Sequence, residues 1–307
     1  MSPRAGQQET PAVARLDPVA LAAIADLELV ARVTVDGTIS GLHRSPFHGY
    51  SAEFNQYRHY RAGDDLKYVD WKLFARTDRF YTKQYRETTN MVASIAIDAS
   101  ASMGYRGRAG VSKLDCARLV AAALAHLVSG QGDAVGLAAF DEDLRQYLPP
   151  KGGPGHLRAL LVALSKLHPS GGTAIAAPLR RAVDLMRRRG LVILISDLYE
   201  DDDRIEAELT RAARMGHEVA IFHVLTREEI DFPFRGTVEL QDLETHRARV
   251  SGGALAAEYR REFSAFLERW GGRCARHGFD YTRVTTEAPL DAALRGYLLK
   301  RTERGAR

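Results

Sequence analysis

Cysteine is nearly absent from this chain of 307 residues; Cys116 and Cys274 are the only two. A disulfide framework or a zinc site needs closely spaced Cys or Cys/His sets, and neither occurs, so both read as buried thiols inside helical patterns. Long apolar runs are missing as well. The longest, such as "LVAAALAHLV", falls short of the roughly 20 residues a membrane span needs. The opening "MSPRAGQQETPAVARLD" lacks the apolar core of a secretory signal and reads as a disordered leader. With neither signal nor span, the expected location is cytoplasmic. Also absent are the phosphate-binding G-x-x-x-x-G-K-[ST] loop, H-E-x-x-H and G-x-S-x-G. "GQGDAVG" resembles a dinucleotide fingerprint only superficially, because a strand and not a helix follows it. Excess charge is slight: the net charge is +4 and the pI near 9.1, which argues weakly for any anionic partner.

What is present suffices for a large core, since 45% of the residues are apolar. Asp17 as N-cap and Pro18 at the first helical position open a helix that runs to about Val30. "RVTVDGTISG" then reads as a hairpin around Asp36-Gly37. Residues 43 to 86 hold eleven of the 25 aromatics, and "RFYTKQYRETT" reads as a strand leading out. Basic residues mixed with aromatics suit single-stranded nucleic acid, but Glu53, Asp64, Asp65, Asp70 and Asp78 interrupt the positive charge, so nucleic acid is not the expected partner.

From residue 92 strand and helix alternate. "VASIAID" is apolar without alternation, as for a central parallel strand covered on both faces. Ser112 and Asp115 frame a capping box for a helix over 112 to 130. Strands follow at 133 to 140, 190 to 197 and 217 to 225, with helices at 155 to 167, 173 to 189 and 204 to 216. "TVELQDLE" reads as an edge strand; a long helix, a strand "FDYTRVTT" and a last helix close the series. The expected fold class is α/β, doubly wound, with a mostly parallel sheet and a small β-rich N-terminal extension. The boundaries read as a leader (1–16), the helix and aromatic extension (17–90), the α/β domain (91–301) and a tail (302–307).

In such a sheet, ligands gather beyond the C-terminal strand ends where strand order reverses. Asp98 ends the first buried strand, Asp197 ends "LVILISD", and a 3-2-1-4 order makes those ends neighbours. "DASAS" adds Ser100 and Ser102, and "PSGGT" delivers Thr173 to the start of a helix. Two carboxylates and three hydroxyls, with no His or Cys, favour Mg²⁺, Mn²⁺ or Ca²⁺ over zinc. Hydroxyl ligands leave positive charge on the cation, which then welcomes a carboxylate from outside. Singly, each residue has a plainer reading: Ser100 or Ser102 caps a turn, Thr173 caps its helix, Asp197 caps the helix after "YEDDD".

These five positions, in this order, resemble the metal-ion-dependent adhesion site of von Willebrand factor A domains. The resemblance implies a divalent cation, most simply Mg²⁺, near Ser100, Ser102 and Thr173, with Asp98 and Asp197 holding its waters and a partner's Glu or Asp completing the shell. Many such domains place Gly after the last Asp, where this chain has Leu198 and then "YEDDD", carboxylates expected to repel an acidic partner at the rim. "GLHRSPFHGYSAEFNQYRHYRAGDDLKYVDWKLFARTDRFYTKQY" and "GTVELQDLET" are similar to the signature of the domain-of-unknown-function family fifty-eight, a resemblance running from about residue 17 to 301. It implies partnership with a MoxR-type AAA+ ATPase or its client, in the family's soluble branch. The function this implies is a non-catalytic, cation-dependent interaction module; a metal-dependent hydrolase or phosphotransferase in the same crevice is the alternative.

A second cluster, Arg61, Gly63, Asp64, Asp65, Asp70, Trp71 and Arg76, reads as a structural knot, with Asp carboxylates on turn amides and Arg forks and Trp71 filling a gap against the main domain; the rival reading is a recognition surface. Glu200 to Asp203 read as a solvated helix N-terminus and Arg187 to Arg189 as a helix's last turn. His126, His223 and His277 show no ligand spacing.

Overall fold

The computed structural model describes residues 31–32, 34–35, 52–61, 69–87, 91–200, 202–234, 238–241, 248–251 and 255–305. Residues 34 and 35 are helical, as are 31 and 32. Thr34 and Val35 were expected to begin a hairpin, but burial of Ala31 and Val35, four residues apart, in the core outweighs their strand preference. The Asp36-Gly37 turn lies outside the described residues. Next, β1 (Ala52–His59) and β2 (Tyr81–Glu87) pair antiparallel, joined through α1 (Trp71–Thr77).

The main unit follows. In chain order it holds β3 (Val92–Asp98), α2 (Lys113–Gly130), β4 (Ala134–Phe140), β5 (Leu144–Lys151), α3 (Pro154–Ser165), α4 (Ala176–Asp184) and β6 (Leu191–Ser196). It continues through α5 (Asp202–Arg214), β7 (Glu218–Leu225), α6 (Arg227–Asp231), β8 (Val238–Gln241), β9 (Ala248–Ser251), α7 (Leu255–His277), β10 (Asp280–Thr285) and α8 (Leu290–Gly305). Six strands form one sheet in the order β10-β7-β6-β3-β4-β5, parallel except for β5. Counting from β3, that is the 3-2-1-4 arrangement, so the ends of β3 and β6 lie side by side at the reversal point.

Burial explains the strand sequences. Every residue of β3 and β6 is buried. Ile95 and Ile97 belong to the core layer that includes Leu124 of α2, while Ala96 joins Leu194 and Trp270 on the other face. The capping box at Ser112 and Asp115 starts α2 where the sequence placed it. Its run of buried alanines, Ala121 to Ala123 and Ala125, brings the helix close to the sheet. Leu124→Ala is expected to cost about 2–5 kcal/mol, because the wall around a fully buried Leu cannot collapse into the space; a urea midpoint unchanged from wild type would contradict the packing.

Several elements depart from expectation. β5 is a strand that the sequence reading leaves out; its Pro149 and Pro150 are tolerated because β5 is an edge. β8 pairs only with β9 among the described strands, in a separate sheet and not on the main one. α4 starts at Ala176 and ends at Asp184, shorter than read, so Arg187 to Arg189 follow the helix instead of forming its last turn. There the chain must reach Gly190, where a Cβ would stand 2.0 Å from the Val92 carbonyl oxygen; only glycine permits that approach. Both cysteines are buried free thiols.

Candidate cation site at the strand ends

The loop after β3 is built by its own polar groups. Asp98 accepts the Ser100 amide on Oδ1 at 2.9 Å and the Ser196 hydroxyl on Oδ2 at 2.7 Å. Ser100, extended, precedes a 3₁₀ turn over Ala101–Gly104. That turn sets the Ser100 and Ser102 hydroxyl oxygens 3.1 Å apart, and Ser102 donates to Asp197 Oδ2 at 2.8 Å. Asp98, Ser100, Ser196 and Asp197 are all fully buried. The Thr173 loop is clasped alongside, through the Ser170 amide on the Ala99 carbonyl at 2.9 Å and the Ala101 amide on Gly171 at 3.2 Å. Thr173 is half-buried, and the N-cap of α4 is Ile175, so Thr173 does not cap that helix.

The donor set suits a hard divalent cation. Oxygens on adjacent corners of a Mg²⁺ octahedron at about 2.1 Å from the metal lie about 3 Å apart. The Ser100–Ser102 and Ser102–Asp197 spacings of 3.1 and 2.8 Å match that. Among the described residues no group of three or more His, Cys, Asp or Glu side chains is placed to hold a metal, so a cation here depends on the hydroxyls.

Burial and charge tune the surroundings. Burial first, then the neighbouring Asp197 charge, push the Asp98 carboxyl up to about 7, against the pull of the Ser100 amide and the Ser196 hydroxyl. His223 is fully buried and donates from Nε2 to the Asp197 carbonyl at 2.9 Å, leaving Nδ1 to accept from Tyr281 at 2.7 Å. Burial lowers it to about 4, so it stays neutral.

Sequence reasoning missed Lys113. Its ammonium, 1% exposed, lies 2.7 Å from both Asp197 Oδ2 and Glu229 Oε1. Burial alone would lower its pKa, but Asp197 and Glu229 outweigh that and hold it above the usual lysine value. Glu229 also accepts from the Tyr199 hydroxyl at 3.1 Å. A Lys next to a capping box carries no local signal; only the topology brings it under Asp197. Ser196, the polar end of an apolar strand beside Asp197, did carry one.

Leu198 occupies the position after the last Asp with φ of 60°, the left-handed region, and is fully buried with Ile205 and Leu209. A branched side chain there costs about 1–2 kcal/mol, offset by its apolar burial. The usual ranking is therefore expected to invert: Leu198→Ala loses burial and keeps the strain, so it should unfold at lower denaturant than Leu198→Gly by about 1 kcal/mol. An alanine variant more stable than the glycine variant would sink that reading.

The acidic run does not lie as a bare repulsive rim. Glu200 Oε2 accepts the Ile175 and Ala176 amides at 2.5 and 2.9 Å, capping α4 from outside. Asp202 and Asp203, in the first turn of α5, pair with Arg269 at 3.4 Å and Arg273 at 2.7 Å. Together with Tyr199 and Phe266 they line a cleft of about 580 Å³ beside the site. Asp197 accepts the Tyr199 amide at 3.3 Å, within its own loop, and does not cap α5.

The second cluster divides. Asp70 caps α1, accepting the Lys72 and Leu73 amides at 3.0 Å each and the Tyr57 hydroxyl at 2.8 Å. Trp71 corrects the expectation: at 56% exposure it fills no gap in the main domain but meets Phe74 and Phe80 edge-on. Arg61 and Arg76 are exposed. Gly63, Asp64 and Asp65 lie outside the described residues. Of the three histidines, His277 bonds Glu206 on the surface at 2.7 Å.

A family model described as "Protein of unknown function DUF58" matches residues 56–269. The chain belongs to the DUF58 family. A relative from Mycobacterium bovis, "Uncharacterized protein Mb1516", is 30% identical over 233 residues, 75% of this DUF58 chain and 72% of its own. Among solved structures, BatB from Bacteroides thetaiotaomicron is 20% identical, covering 69% of the chain and 99% of its own with a TM-score of 0.48. An "aerotolerance-related membrane protein" from Bacteroides fragilis is 20% identical over 68% and 99%, with a TM-score of 0.45. The VWA domain of SpRpn10 is 15% identical over 44% and 76%, with a TM-score of 0.37. The mostly parallel six-strand sheet flanked by helices is the α/β class that the sequence predicts. The cytoplasmic location expected from composition is corrected: solved structures similar to this chain include proteins described as membrane proteins. Among the described residues no helix is long and apolar enough to cross a membrane.

Proposed function

We propose that this DUF58 protein is a non-catalytic, divalent-cation-dependent interaction module that grips an acidic side chain of its partner, serving as adaptor to a MoxR-type AAA+ ATPase or its client in complex assembly or maturation. The observation that carries this is the run of Ser100, Ser102 and Asp197 oxygens at the spacing of neighbouring Mg²⁺ ligands, beyond a strand end. Mg²⁺, or Mn²⁺ or Ca²⁺ in its place, would be held by the two hydroxyls with Thr173, and by Asp98 and Asp197, directly or through water. Neutral hydroxyls leave charge on such an ion for a partner carboxylate to meet.

No observation favours the hydrolase alternative. His223, bonded to the Asp197 carbonyl, is buried, neutral and committed at both ring nitrogens, which leaves it unable to take a proton from water. The test is capture from native extract by tagged wild type and by Ser100→Ala/Ser102→Ala, in Mg²⁺ and in EDTA, with eluates identified by mass spectrometry. An AAA+ ATPase recovered only by wild type in Mg²⁺ is the expected result. The same partners recovered in EDTA would overturn it and turn attention to the exposed Trp71 face.

A further inference from the structure

We propose that Lys113 is a resident counter-cation of the strand-end site, and that its ammonium competes with an incoming divalent ion for Asp197 and so sets how tightly that ion is held. This rests on the cation-site reading above and adds a residue outside the five-position motif.

The geometry is specific. Lys113 is the first residue of α2, fixed in place by the Ser112 capping box, and its ammonium meets Asp197 and Glu229 at 2.7 Å each, 4.6 Å from the centre of the Tyr199 ring. Asp197 Oδ2 takes both the Ser102 hydroxyl, at 2.8 Å, and this ammonium. A carboxylate oxygen offers about two lone-pair directions, and here both are used. Any cation, or water on a cation, that approaches Oδ2 must displace one donor. Ser102 can keep donating its proton to Asp197 while offering a lone pair to the ion. Lys113 has only donors and the same sign of charge as the ion, so it gives way.

It also has a place to go. Glu229 already holds it, and Glu229 is fixed as the N3 residue of the capping box that starts α6 with Thr226. Moving the ammonium fully onto Glu229 keeps it paired in a buried setting. Glu229 in turn holds the hydroxyl of Tyr199, which lines the neighbouring cleft. Occupation of the site is thereby linked to the cleft wall. Without any cation, the ammonium already balances part of the Asp98–Asp197 charge, so the fold does not require metal.

The test is Mn²⁺ binding, read from the free-ion electron paramagnetic resonance signal, with Mg²⁺ as competitor. Wild type, Lys113→Met, Lys113→Arg and Ser100→Ala/Ser102→Ala are compared. Removing a unit charge a few ångströms from a divalent ion is expected to tighten Mn²⁺ binding at least about tenfold in Lys113→Met, with Lys113→Arg near wild type. Equal affinity in wild type and Lys113→Met, each lost in the double serine variant, overturns the role of Lys113 while leaving the cation site standing. No binding in any protein overturns both. Should Lys113→Met fail to fold with or without cation, Lys113→Gln decides, because its amide can still donate to Asp197 or Glu229 without the charge: binding tightened at least about threefold supports the proposal, and unchanged binding overturns it.

Discussion

In EDTA at pH 8, Asp98→Asn is expected to be more stable than wild type, by roughly 2–4 kcal/mol. The Asp98 carboxyl titrates near 3.8 in the unfolded chain and near 7 in the folded one, because burial and the Asp197 charge both disfavour its ionised form. A carboxyl with a raised folded pKa holds its proton more tightly in the folded state. Its contribution is therefore fully present below about pH 4 and is lost as pH rises through about 7. Asparagine keeps a carbonyl for the Ser100 amide, and its NH₂ can donate to the Ser196 hydroxyl oxygen where the carboxylate accepted from it, without the buried charge. The metal-free wild type should lose stability between pH 5 and pH 8 while Asp98→Asn stays nearly flat, and Mg²⁺ should restore only the wild type. Denaturant titrations at the two pH values check this. Parallel pH profiles for the two proteins would mean that Asp98 is not ionised against its surroundings.

The second large effect concerns the hydroxyls. Ser100→Ala/Ser102→Ala is expected to weaken divalent-cation binding at least about 100-fold, since two of the few direct ligands of a hard cation are removed and the nearest carboxylates alone match its coordination poorly. The cost to folding should be much smaller, about 1–3 kcal/mol, because Asp98 keeps the Ser100 backbone amide and Asp197 keeps Lys113. Titration calorimetry with Mg²⁺, paired with a melting curve in EDTA, separates the two quantities. Unchanged Mg²⁺ affinity would show that the ion sits elsewhere, and a protein that no longer folds in EDTA would show the serines to be structural.

Much of this was legible in the residues, for a physical reason. β3 and β6 are apolar without alternation because both faces are covered, and the polar residues that break each run therefore mark where the strand leaves the core. Asp98, Ser100, Ser102 and Asp197 all fall at such breaks, and the sheet order brings them together. Lys113 and Glu229 were not legible. Each looks like an ordinary charged residue in a helix's first turn, and their meeting depends on how α2 and α6 pack against the end of β6. β5 was hidden by its prolines, which only an edge position allows. Trp71 was misjudged because a large aromatic beside Asp and Arg suggests burial, whereas α1 holds no buried residue.

The most direct test of the central claim is anomalous diffraction from crystals of the protein grown with Mn²⁺. The account predicts one strong peak beyond the β3 and β6 ends, about 2.2 Å from the Ser100 and Ser102 hydroxyl oxygens and beside Thr173. A peak confined to the Glu200–Asp203 carboxylates, or full Mn²⁺ loading with none at the serines, would contradict it.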